Sequence, residues 1–166
     1  RGARTPVRRG AGVTPRVLVS ACLLGATCRY DGKCAEVEAV RREACARGWI
    51  PVCPEQLGGL CTPRTPAERQ GDRVCTRNGG DVTEAYRRGA EEALRLAKLY
   101  GAKYAVLKER SPSCGSGTIY DGTFSGAKIP GDGMTAQLLK AAGVEVFGES
   151  RLEELLTRIE ADAAQG

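Results

Sequence analysis

The apolar positions of the chain follow two rhythms. Val17-Leu18-Val19 form an unbroken apolar run between Arg16 and Ser20, which predicts a short strand covered on both faces, as in a parallel sheet. In "EVEAVRREACAR", residues 36–47, the spacing of Val37, Val40 and Ala44 gives one apolar helical face, and Gly48 supplies a stop. "WIPVCP" at 49–54 predicts a second short strand that Pro54 ends. A long helix follows in "EAYRRGAEEALRLAKLYGAK", with Asp81 or Thr83 placed to cap it and Gly101 to close it. "YAVLKE" at 104–109 is a third strand, and helix "MTAQLLKAAG", strand "VEVF" and helix "SRLEELLTRIEADA" complete the chain.

Three stretches break the rhythm. "CTPRTPAERQGD" holds two prolines and is expected to be irregular. "RVCTRNGGDVT" carries a turn signal at Asn78-Gly79 between two short extended pieces. In "RSPSCGSGTIYDGTFSG", Thr118–Tyr120 and Thr123–Ser125 are expected to form a small hairpin about Asp121-Gly122. Strand alternating with helix predicts an α/β fold: a single-domain, open, mostly parallel, Rossmann-like sheet flanked by helices, with that hairpin as an insertion. The domain is expected over residues 16–166, behind a basic leader at 1–15. The polar insertions all come just after predicted strands, where open α/β folds gather their sites.

Composition narrows the setting. No window approaches 18 unbroken apolar residues, so no membrane span is expected. The N-terminus has no apolar h-region, and a cytoplasmic location is the expectation. The chain opens on Arg1 rather than Met, which reads as a trimmed start. The formal charge of +5 comes from Arg1, Arg4, Arg8, Arg9 and Arg16; without them, 20 basic and 20 acidic residues cancel. Nucleic-acid contact is therefore expected, if anywhere, only through the leader. No surplus apolar helix face stands out, and a monomer is expected.

Eight cysteines and no histidine change the picture more. The absence of imidazole removes Cys-His and Ser-His dyads and every zinc site that needs histidine. Cys22 follows the first strand, Cys53 ends the second, and Cys114 lies five residues beyond the third. Neighbouring parallel strands lie about 5 Å apart, so three strand ends can bring these thiols to one spot. None belongs to a CxxC pair, which leaves zinc ribbons and thioredoxin-type motifs without support. A strand-end cysteine also serves as a small core residue. Cys45 is expected to be one, while Cys28 and Cys34 are spare thiols of the first loop and Cys61 and Cys75 lie in polar surroundings. Soft thiolates select iron–sulfur clusters or zinc.

"VSACLLGATCRYDGK", "PVCPEQLGGL", "TPR", "DVTEAYRRGAEEAL", "KERSPSCGSGTIYDGTFSG" and "GDGMTAQLL", in this order, resemble the bacterial thiouracil desulfurase family over about residues 15–148. The resemblance implies a compact α/β domain with a [4Fe-4S] cluster held by three cysteines, which fall on Cys22, Cys53 and Cys114, and an open fourth iron. It implies a catalytic glutamate at Glu55 and a catalytic serine at Ser111. The implied reaction is hydrolytic and non-redox: a thiopyrimidine such as thiouracil exchanges C=S for C=O and releases sulfide. Cys61 in "GGLCTPR" departs from the family pattern, as do Cys28 and Cys34. A further thiol on the fourth iron would block the substrate's place.

Several neighbours enter as expectations. Lys108 and Arg110 are near enough in sequence to balance cluster charge. Asp31 and the amides of Gly115 and Gly117 are candidates for a polar pocket floor. Tyr30 and Tyr120 are candidate stacking walls. The competing reading is a metal- or cluster-bearing module without catalysis that binds thiolated RNA.

Overall fold

In a computed structural model, which describes residues 14–165, the chain runs β1 (Val17–Ser20), a 3-10 turn (Ala21–Leu24), α1 (Glu38–Arg47), β2 (Ile50–Val52), α2 (Pro54–Leu57), β3 (Ala67–Gln70), β4 (Arg73–Thr76), α3 (Thr83–Tyr100), β5 (Tyr104–Leu107), β6 (Thr118–Tyr120), β7 (Lys128–Pro130), α4 (Met134–Ala141), β8 (Glu145–Gly148), a second 3-10 turn (Glu149–Arg151) and α5 (Leu152–Gln165). Nearly all of the expected leader, and with it the one expected nucleic-acid contact, lies outside the described residues. No helix among them is long and apolar enough to cross a membrane.

The main sheet has strand order β2-β1-β5-β8 and is parallel throughout. Alternation along β1 assigns its residues to two cores. Val17 and Val19 pack with Val40 and Ala44 of α1 and Leu155 and Ile159 of α5. Leu18 faces the other way, toward Ala97 of α3 and Ala136 and Leu139 of α4. Helices therefore cover both faces, and that is why the strands read as continuous apolar runs. Each fully buried Leu or Val contributes roughly 1.5–3 kcal/mol. The expected α/β, mostly parallel architecture is the one observed.

The departures are local. "AERQ", expected to be irregular, is β3, paired antiparallel with β4 around Gly71 at φ 62°. The Gly71-Asp72 turn overrides the two upstream prolines, both of which stand before the strand. Asn78-Gly79 does turn the chain, but its second extended piece is only the bridge of Asp81 to Cys75. In the insertion β6 pairs with β7, so residues 123–125 belong to the connection and not to a strand. Buried Glu68 accepts the amides of Gly122 (3.2 Å) and Phe124 (3.1 Å), which holds this segment away from the ladder. Cys45 is exposed on the outer side of α1, against the expectation of a core thiol.

Asp81 caps α3 from outside the helix. Its carboxylate accepts the Thr83 amide at 2.9 Å and the Thr83 hydroxyl at 2.6 Å, and it pairs with Arg73 at 2.9 Å. Those bonds to Thr83, then the pairing with Arg73, hold its pKa down at about 2. Gly101, at φ 64°, closes the other end.

Candidate active site

The ends of β2, β1 and β5 lie side by side, and the segments leaving them enclose a cavity of about 500 Å³. Cys22 lies on the 3-10 turn after β1, its carbonyl accepting the Ala35 amide at 2.9 Å. Cys53 sits between β2 and α2, with Pro54 at the first helical position, where a missing N–H costs nothing. Cys114 is held by a tight turn: the Ser111 hydroxyl oxygen accepts the amides of Ser113 and Cys114, both at 3.1 Å, and the Ser111 carbonyl accepts Gly115 at 2.8 Å. Gly133 backs this turn so closely that a Cβ there would lie 2.4 Å from the Ser113 carbonyl carbon.

Cys22, Cys53, Cys114, Glu55 and Ser111 all line the one cavity. Cys28 joins them, a buried thiol in contact with those of Cys22 and Cys53. Burial pushes the Cys114 thiol up to about 12, against a contact with the Ser20 hydroxyl that lowers it. Cys53 is raised by its contact with Cys28 and then by burial. Cys28 is raised chiefly by Cys22, while Cys53 works the other way.

Among the described residues no three Cys, Asp or Glu side chains are arranged to grip a single metal ion. A four-iron cube asks for something different, because each thiolate binds its own iron at a separate corner and the sulfurs need not converge. Three soft thiols, on the segments leaving three adjacent strands around one cavity, fit such a group.

Glu55 stands in the single turn of α2. Arg64 donates to its Oε2 at 2.8 Å, and Tyr86 donates its hydroxyl to Oε1. The same Arg64 nitrogen reaches the Cys28 carbonyl at 2.8 Å, and its other terminal nitrogen bonds the Cys61 carbonyl and the Thr62 hydroxyl. Burial works against the Arg64 charge, but Glu55 more than offsets it, and its pKa is raised. Tyr86 is raised by burial first and then by the Glu55 charge. The sequence reading missed both partners; the strings "TPR" and "DVTEAY" were their signal.

Tyr30 and Tyr120 line the cavity as expected, and Phe124 is an additional aromatic wall. Lys108 reaches the lining but pairs with Glu149, and Arg110 also lines the cavity, with φ 65°. The expected polar floor is not there. Asp31 accepts the Lys33 amide and pairs with Arg29 at 3.6 Å, while the Gly115 and Gly117 amides are taken by the Ser111 carbonyl and the Asp132 carboxylate. Cys34 and exposed Cys61 stand outside the lining.

The sequence pattern of the family described as 2-thiouracil desulfurase matches residues 17–151. Uncharacterized protein YbbK of Bacillus subtilis (strain 168) is 47% identical over 150 residues, which is 84% of this chain and 99% of that protein. A solved structure of the [4Fe-4S]-dependent thiouracil desulfidase TudS is 48% identical and superposes with a TM-score of 0.85, covering 89% of this chain and 99% of that one. On matches of this extent, spanning the whole sheet and its cavity, the chain belongs to the 2-thiouracil desulfurase family.

Proposed function

We propose that this chain is a [4Fe-4S]-dependent desulfurase that converts a thiouracil-type C=S to C=O with water and releases sulfide, without net electron transfer. The observation that carries the reading is one cavity lined by Cys22, Cys53, Cys114, Glu55 and Ser111. Cys22, Cys53 and Cys114 would hold the cluster as its protein ligands. When bound, it supplies a Lewis-acidic iron free of protein ligands, with an affinity for the sulfur of the substrate.

The residues of the chain do the rest. Glu55 takes a proton from the attacking water and returns it to the leaving sulfur or a ring nitrogen, so the carboxylate ends the cycle as it began it. Its backbone is only two residues from Cys53, which brings it to the reacting carbon without a long flexible stem. Ser111 has its oxygen engaged by two amides, so its hydroxyl hydrogen is left to donate to the substrate. Phe124, Tyr120 and Tyr30 give a planar base its apolar walls. Eight free cysteines suit a reducing compartment, and the chain works there, in the cytoplasm, as a monomer.

The deciding experiment is anaerobic purification with iron and sulfide analysis, followed by turnover of thiouracil. Brown protein with roughly four irons that makes uracil, and a Glu55→Gln variant that keeps its colour but loses turnover, is the expected result. Zinc in place of iron, or full turnover by Glu55→Gln, overturns the reading.

A further inference from the structure

Two buried groups have no task in that scheme. Tyr86 is 3% exposed and the Arg64 side chain 8%, yet neither lines the cavity. Both donate to Glu55 from residues outside the cavity lining. Tyr86 comes from α3 and holds Oε1, and Arg64 comes from the segment before β3 and holds Oε2.

The packing that delivers Tyr86 is unusual. A Cβ on Gly89 would lie 1.9 Å from the Pro54 carbonyl oxygen, and one on Gly58 would lie 2.0 Å from that of Ala85. Only glycine at both positions lets α2 rest backbone to backbone on α3. Gly89 is one turn beyond Tyr86 on the same helix, so this contact sets the reach from the tyrosine to the carboxylate. Arg64 in turn ties Glu55 to the Cys28 carbonyl, in the loop that follows Cys22.

We propose that Tyr86 and Arg64 are positioning residues that fix the plane of the Glu55 carboxylate. The inference rests on Glu55 being the proton carrier. A carboxylate held on one oxygen rotates about its terminal bond, whereas one held on both does not. Each oxygen accepts one of these donors and keeps acceptor capacity for the cavity side. A carrier held this way meets water and sulfur in one geometry, and small misplacements of such a group slow the chemical step by about 100-fold.

The test uses cluster-loaded enzyme. Tyr86→Phe keeps the ring volume and removes the hydroxyl. It is expected to lower kcat about 10- to 100-fold with KM within about twofold, at unchanged iron content and visible spectrum. Arg64→Lys keeps the charge but loses the second terminal nitrogen, which anchors the guanidinium on Cys61 and Thr62 while the first serves Glu55 and Cys28, and is expected to show the same split. In a Glu55→Asp background, where the shorter carboxylate cannot reach Tyr86, adding Tyr86→Phe is expected to change the residual turnover little. A Tyr86→Phe enzyme with wild-type kcat overturns the proposal, as does an equal loss in both backgrounds. Full turnover by Glu55→Gln defeats the catalytic reading itself; an inactive Glu55→Gln beside a normal Tyr86→Phe defeats only the positioning.

Discussion

Ser111 and Cys114 are bonded through the loop they share: the Ser111 hydroxyl oxygen accepts the Cys114 amide at 3.1 Å and the Ser113 amide at the same distance. The residue proposed to touch substrate thus also shapes the turn that presents a proposed ligand. Ser111→Ala is therefore expected to reduce both turnover and stability. Each orphaned amide costs about 1–3 kcal/mol. Urea unfolding of the metal-free protein measures that, and Ser111→Thr, which retains the oxygen, is expected to recover most of it.

Gly89→Ala places a methyl group into the Pro54 carbonyl, and neither backbone has room to yield. The expected destabilisation is about 1–3 kcal/mol or more. Any enzyme that folds is expected to lose kcat as well, because α2 shifts relative to Tyr86. Denaturation midpoints and steady-state kinetics on the same preparation read both effects.

Cys28 touches the thiols of Cys22 and Cys53 without belonging to the proposed ligand set. Cys28→Ser is expected to retain iron, colour and turnover. Single serine substitutions of Cys22, Cys53 and Cys114 are each expected to lose the cluster. Iron analysis and absorbance under anaerobic conditions check all four variants.

Asp81 gives the acid limb of the stability profile a defined shape. Its pKa is lowered to about 2 by the Thr83 hydroxyl and amide and by Arg73. A lowered carboxyl pKa stabilises the fold above the ordinary value, and that contribution fades as pH falls through about 2. Asp81→Asn is expected to unfold more easily than wild type at neutral pH, and the gap is expected to close between about pH 4 and pH 2. Thermal midpoints of the metal-free proteins across that range test it.

Much of the layout is written locally in the chain. Val17-Leu18-Val19 had to be a doubly covered strand, and Cys22, Cys53 and Cys114 were visible because each follows a strand at short range. Contacts made across the fold were not visible. Arg64 meets Glu55 from nine residues away, and Tyr86 from 31. Neither pairing leaves a periodicity. The hairpin was paired wrongly for the same reason, since what holds Gly122 and Phe124 is Glu68, more than 50 residues earlier. Cys45 misled because a thiol on a helix carries no mark of which side faces water; Val40 and Ala44 take the buried side.

The order β2-β1-β5 carries one more implication. Cys53 and Cys22, one and two residues past adjacent rungs, inherit their spacing from the hydrogen-bonded ladder, whose pitch barely varies between proteins, while Cys114 is placed by the Ser111 turn. Loops beyond the rungs, other than the turn that carries Cys114, are then at liberty to lengthen, shorten or change their side chains. New guests can be admitted by remodelling those loops while the anchor points stay where the ladder and that turn put them.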